Sequence, residues 1–186
     1  MKITVFPILL FLCCTIGQAE PSKEDVKFCE KTAIIALEIA EKRNEGKSID
    51  MALEEVFSEA QEPPPESMVK FASDIYDSPG IAPIEYARAI YNVCYAERDP
   101  SIEEEKYNMC LKFSKLAENI IKGREAGMSL EEVRTMITPQ GASVDTQLSY
   151  ASHVKTFFEL IGFASDGTKV FTFSTCYQTQ IKIKKT

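Results

Sequence analysis

Four cysteines and two arginines are the residues whose types and spacing invite a chemical reading. Cys29, Cys94, Cys110 and Cys176 remain once the first nineteen residues are set aside, and Arg43 and Arg124 stand at matching places downstream of Cys29 and Cys110. Laying Cys29 over Cys110, an offset of 81 residues, also matches Lys31 with Lys112, Ala36 with Ala117, Ile39 with Ile120, Gly46 with Gly127 and Ser48 with Ser129, without a gap. The next cysteine follows 65 residues after Cys29 and 66 after Cys110. The chain therefore reads as one small module used twice. An even cysteine count in an exported protein favours disulfides over metal ligands. Four cysteines allow three pairings, and the repeat selects Cys29–Cys94 with Cys110–Cys176. Each bridge closes a loop of about 66 residues, worth roughly 4 kcal/mol in the chain-entropy view. Modules of about 80 residues bury modest cores, so that contribution matters. With no CxxC pair and His153 as the single histidine, neither metal nor cofactor is expected.

Arg43 and Arg124, with Tyr76 and Asp77 from a turn in the first module, are the candidate partner-binding residues. An arginine in a last helical turn has a simpler use as well. It complements the negative end of the helix dipole and buries its stem. His153 has no identifiable nucleophile beside it. Glu54-Glu55, Glu103-Glu104-Glu105 and Glu131-Glu132 are carboxylate clusters, read more simply as solvated helix faces than as acid–base pairs in a cleft. A Gly-rich phosphate loop, a nucleophile elbow and a zinc-protease motif are all missing, so no catalytic residue is assigned and a non-enzyme is expected.

The elements that carry these residues begin after a leader. Met1-Lys2 is a positive start, 3–16 is apolar, and Gly17-Gln18-Ala19 places small residues where a signal peptidase reads. Residues 1–19 are thus expected to be a secretory signal peptide cut before Glu20, and the run is short for a membrane span. Leu12 precedes Cys13 where a lipoprotein signal needs a small residue. The mature chain is expected to be soluble, in the periplasm or outside the cell. From Glu24, Phe28, Thr32, Ile35/Ala36 and Ile39/Ala40 fall at helical spacing, ending at Arg43 and Gly46. Ser48 then caps a second helix that turns Ala52, Val56, Phe57 and Ala60 inward before Pro63-Pro64-Pro65 breaks it. Glu66 to Tyr76 is a third helix. Asp77-Ser78-Pro79-Gly80 is a turn, and Pro83 opens a fourth helix with Ile84, Ala87, Tyr91 and Cys94 on one stripe.

The second module repeats this plan. Ser101 with Glu104 is spaced as a capping box, and Met109, Phe113, Leu116/Ala117 and Ile120/Ile121 form the stripe that ends at Gly127. Ser129-Leu130-Glu131-Glu132 is a second capping box, for a helix with Leu130, Val133 and Ile137. A longer helix over 145–163 carries Leu148, Val154, Phe157/Phe158 and Ile161. The last segment, 168–183, is ambiguous. Phe171, Phe173, Tyr177, Ile181 and Ile183 alternate as in a strand. The repeat nevertheless equates it with the fourth helix, and a helix is expected.

Charge separates the two modules. Residues 20–105 hold 9 basic and 21 acidic side chains, net −12, and residues 106–186 hold 11 and 7, net +4. The acidic balance disfavours nucleic-acid binding. The asymmetry either holds the modules together or offers an acidic face to a basic partner, against the plainer reading of a solvated surface.

The first module, through Cys29, Arg43-Asn44-Glu45-Gly46, Tyr76-Asp77-Ser78-Pro79, Arg88-Ala89-Ile90 and Cys94, resembles a group of small secreted bacterial helical proteins of unknown function. The likeness covers roughly residues 25–95. The second module keeps the cysteines, Arg124 and Gly127 but has Phe158-Glu159-Leu160 in place of the Tyr-Asp-x-Pro turn. The resemblance implies compartment and fold only.

The expectation is an all-α protein of two tandem disulfide-pinned modules of about four helices each, residues 20–98 (acidic) and 99–186 (mildly basic). The expected role is non-enzymatic protein binding, as an inhibitor or immunity-type partner of an envelope protein. The alternative is a carrier of a small apolar ligand inside a helical bundle, motivated by the aromatic residues from Phe157 to Phe173.

Overall fold

The structure, a computed structural model, describes residues 21–58 and 64–184, with side chains as far as Gln180. The expected signal peptide lies outside the described residues, as does Ala60. Among the described residues there are eight helices and no strand. They are α1 (Lys23–Asn44), α2 (Ile49–Val56), α3 (Glu66–Tyr76), α4 (Pro83–Arg98), α5 (Glu104–Glu125), α6 (Leu130–Ile137), α7 (Val144–Phe158) and α8 (Ser165–Lys184).

Local chemistry sets most of these boundaries. Ser22 caps α1 by accepting from the Asp25 N–H at 3.1 Å, with Glu24 and Asp25 at the positive end of the helix and Lys42 and Arg43 at the negative end. Ser48 and Ser143 cap α2 and α7 in the same way. Ser129 and Glu132 close the expected capping box on α6. Gly46 and Gly127 have φ of +78° and +80°, the left-handed conformation that stops α1 and α5. The box expected from Ser101 and Glu104 does not form. The Ser101 hydroxyl and N–H both bind the Asp99 carboxylate, at 2.6 and 2.9 Å, and α5 starts without a side-chain cap.

The two halves are built alike. α1 and α5 are each 22 residues long, and α2 and α6 each 8. In the first half α1 packs along α4 and Cys29 is bonded to Cys94. In the second, α5 packs along α8 and Cys110 is bonded to Cys176. Both bridges join Cα atoms 5.5 Å apart, and the pairing is the one the repeat selects. α4 also packs along α8, which joins the halves. There Asn92 donates to the Ser174 hydroxyl at 2.8 Å, and the Tyr177 hydroxyl meets the Asp99 carboxylate at 3.3 Å.

α8 resolves the ambiguous segment as a helix. Its alternating apolar residues serve two cores on different sides. Phe173 and Tyr177 join Ala96 and Cys110 in one cluster, while Phe171, edge-on to Phe163 at 5.9 Å, packs against the first-half core of Ile39, Ile75, Ile81 and Tyr86. A helix wedged between α4 and α5 needs apolar side chains on more than one face, and that need imitates a strand's period of two. A third cluster joins Ile120 of α5, Val133 of α6 and Val154 of α7.

Several residues expected inside are outside. α7 stops at Phe158 and the chain turns through Gly162 at φ +75°, leaving Ile161 90% exposed. Phe28 is exposed with the Arg98 guanidinium 4.7 Å above its ring. Ile84, Met109, Leu130 and Leu148 also face outward.

α5 and α8 are further tied by one nearly buried carboxylate. Glu118 accepts from Lys122 at 2.5 Å and Lys169 at 3.2 Å. Burial pushes this carboxyl up, but the two ammonium groups outweigh it and hold it below the usual glutamate value. A group held low in the folded state stabilises the fold above the ordinary glutamate value and loses that contribution as the pH falls through the folded one. Glu118→Gln should therefore lower the melting temperature at pH 7, with the difference from wild type shrinking toward pH 3. Thermal melts followed by circular dichroism check this, and an equal deficit at both pH values would refute it.

Candidate functional site

Arg43 and Arg124 hold two corresponding loops. Arg43, in the last turn of α1, donates from Nη1 to the carbonyls of Ile75 and Ser78, both at 2.8 Å, and from Nη2 to that of Ile81 at 2.8 Å. Arg124 donates from Nη1 to the carbonyls of Phe158, at 3.2 Å, and Leu160, and from Nη2 to that of Phe163 at 2.6 Å. The last carbonyls of a helix have no partner within it. Each arginine supplies partners to the end of α3 or α7 and to the loop beyond, rather than only complementing its own helix. Burial draws the Arg43 guanidinium below its ordinary value, opposed by the nearby Tyr86 and Tyr76 rings.

The loops so held meet each other. The Gly80 N–H donates to the Gly162 carbonyl at 2.7 Å, and the Ala164 N–H to the Ser78 hydroxyl at 3.3 Å. A Cβ on Gly80 would lie 2.8 Å from the Ile161 carbonyl oxygen and 2.9 Å from that of Gly162. No side chain fits there without moving backbone. Gly80→Ala should cost on the order of 1–3 kcal/mol through this overpacking, read as a lower midpoint in urea unfolding; a variant as stable as wild type would contradict it.

The other two candidates lie beside the first loop. The Tyr76 hydroxyl reaches the carbonyls of Lys47 and Ser48, at 3.0 and 3.2 Å, and so pins the entry to α2. Asp77 is exposed at the end of α3 and lines a hollow of about 340 Å³ with Asp74, Glu125 and Asp166. Lys70 pairs with Asp74 at 3.0 Å, and Glu125 accepts the Ser165 N–H at 3.0 Å. Among the described residues no group of three or more His, Cys, Asp and Glu is arranged to hold a metal ion. The structure thus gathers Arg43, Tyr76 and Asp77 around one turn and puts Arg124 at the corresponding turn. The guanidinium and phenol groups face inward to backbone carbonyls.

His153 is on α7. Its Nδ1 lies 2.8 Å from the Ser149 carbonyl, and its ring meets Phe113 edge-on at 5.2 Å. Phe113 also packs edge-on to Phe157 at 5.7 Å, so the imidazole belongs to an aromatic row.

A different surface has the form of a binding face. α5 and the α6–α7 hairpin enclose an open groove of about 750 Å³. Leu116, Met128, Met136, Ile137 and Tyr150 give it an apolar lining, and Lys112, Lys115, Asn119 and Lys122 stand along its α5 edge. Lys122 is engaged by Glu118. Lys112 and Lys115 are exposed and, among the described residues, have no ion-pair partner. Met136 is 53% exposed. On the other side of α6, Val144 and Leu148, 70% and 64% exposed, line a smaller hollow with Arg134 and Gln147. None of the sequence-derived candidates lies in this groove. Its signal in the sequence was faint: lysines at 112, 115 and 122, and a methionine two residues before the break at Thr138.

The arginine clamps carry a direct test. Arg43→Lys and Arg124→Lys keep the charge but lose the planar fork of donors. Each leaves carbonyls short of partners, at a cost of about 2–4 kcal/mol. For a chain of this size that lowers the melting temperature by about 5–15 °C. Lysine variants that melt with wild type would overturn the assignment. Comparisons with protein-family models, with curated proteins and with solved structures find no match to this chain.

Proposed function

We propose that this is an exported, non-enzymatic protein-binding module whose binding face is the groove between α5 and the α6–α7 hairpin. The observation that carries the reading is the groove itself: an open apolar lining with partly exposed Met136, bordered by Lys112 and Lys115. An apolar centre with a polar rim is the layout of surfaces that meet another protein.

Compartment fits the same reading. Two disulfides suit an oxidising environment, and among the described residues no helix is long and apolar enough to cross a membrane. A signal peptide at 1–19 would deliver the chain to the periplasm or beyond. We read the halves as two copies of one module, supported by the recurring helix lengths, cysteine separations and arginine clamps. Likeness to small secreted bacterial helical proteins is consistent with the first half on its own. An inhibitor or immunity-type partner of an envelope protein is the role such a rigid, bridged scaffold suits best. The carrier alternative has less behind it, because Phe157, Phe163, Phe171 and Phe173 are spent on edge-on contacts within separate clusters.

Met136→Asp places a charge in the groove without touching a fully buried side chain. Pull-down from an envelope extract should recover a stoichiometric partner with the wild-type protein and lose it with this variant. Recovery of no partner, or the same partner with both, would remove the groove from this role.

A further inference from the structure

We propose that the groove takes an acidic amphipathic helix of its partner, laid along α5 with its carboxylates on the lysine edge. The inference rests on reading this groove as the protein-binding face, and it specifies what the partner must look like.

The first argument is charge. Lys112, Lys115 and Lys122 lie within about 80° of one another around α5 at 100° per residue, and they span ten residues, about 15 Å along the axis. The α5 edge of the groove therefore carries two exposed lysines less than a turn apart, with Lys122 two turns further along. Lys122 is shared with Glu118, but Lys112 and Lys115 face solvent and, among the described residues, have no ion-pair partner. The acids of α6 are already engaged. Glu131 pairs with Arg134 at 2.9 Å, and Glu132 is held in its capping box. Among the described residues no acid lines the groove itself.

The second argument is shape. The lining runs along α5, from Leu116 to Met128, and is walled by Met136, Ile137 and Tyr150. An open trough of this kind covers one side of its occupant, which suits the apolar face of a helix with its polar face left to water. Methionines at 128 and 136 adapt to the knobs of such a helix. A helix carrying acids at i and i+3 or i+4 beside that face would match Lys112 and Lys115, and one at i+7 would extend toward the shared Lys122. Charge pairing across the rim then selects the partner and its direction, and burial along the trough provides the attraction.

The test uses the oxidised protein and two blocked 18-residue helix-forming peptides. One has leucines on a face flanked by glutamates; the other replaces every glutamate by lysine. Fluorescence anisotropy should show the glutamate peptide binding about tenfold or more tighter than its counterpart, with affinity falling as salt rises. The charge-swapped double variant Lys112→Glu/Lys115→Glu, its helicity unchanged by circular dichroism, should reverse that preference. Equal binding of the two peptides, binding of neither, or an unmoved preference in the double variant would each overturn the proposal. A salt-sensitive dimer of the protein alone, abolished by the double variant, would assign the groove to a second copy and equally overturn it. Stoichiometric dodecanoate binding that displaces the glutamate peptide would do so in favour of a small amphiphile. The two readings can be told apart. If Met136→Asp loses the captured envelope partner while the double lysine variant keeps it, the groove stands and the acidic helix falls.

Discussion

Two guanidinium groups determine how the chain turns at its most demanding places. The ends of α3 and α7 leave carbonyls without helical partners, and the loops beyond must come close enough for Gly80 and Gly162 to share a hydrogen bond. Arg43 and Arg124 meet both requirements together, because a planar fork of donors can bind several carbonyls that point in one direction. Once the loops are set, the directions of α4 and α8 follow, and those two helices form the contact between the halves. The disulfides then tie each returning helix to the one that opened its half.

Much of this was legible from residue types. Serine caps at 48 and 129 and glycines at 46 and 127 have local effects that do not depend on the rest of the fold, and the helices start and stop near them. The disulfide pairing followed from matching two stretches of one sequence. What failed depended on tertiary placement. Ser101 had the spacing of a cap, yet Asp99 lay nearer and took its hydroxyl. Ile161 was apolar and in register with a core stripe, but the helix ended three residues earlier. The alternation over 168–183 was real and came from a helix with two buried faces. Neither Arg43 nor Arg124 announced its partners, since carbonyls 32 to 39 residues away carry no signature in residue type. The groove was hidden for the same reason, being a product of how three helices pack.

The charge asymmetry gains a physical location from these contacts. In the first half, Lys42 and Lys47 bracket Glu45 and Glu55, so part of the acid excess is compensated on the spot. Such exposed pairs contribute little to stability, and their effect is to even out the local field. In the second half Lys112 and Lys115, exposed beside the groove, have no ion-pair partner among the described residues. The modest positive balance of residues 106–186 is therefore concentrated in part along this groove.

The α6–α7 hairpin is lightly anchored. Val133 is the buried residue of α6 and Val154 that of α7. Both helices pack chiefly on α5 and on each other, away from the α4–α8 contact. Sparse anchorage of this kind places a segment among the first to open by local unfolding, while the bridged helices stay closed. The outer wall of the groove can thus breathe on a rigid base, and a partner seated there would gain part of its residence time by damping that motion.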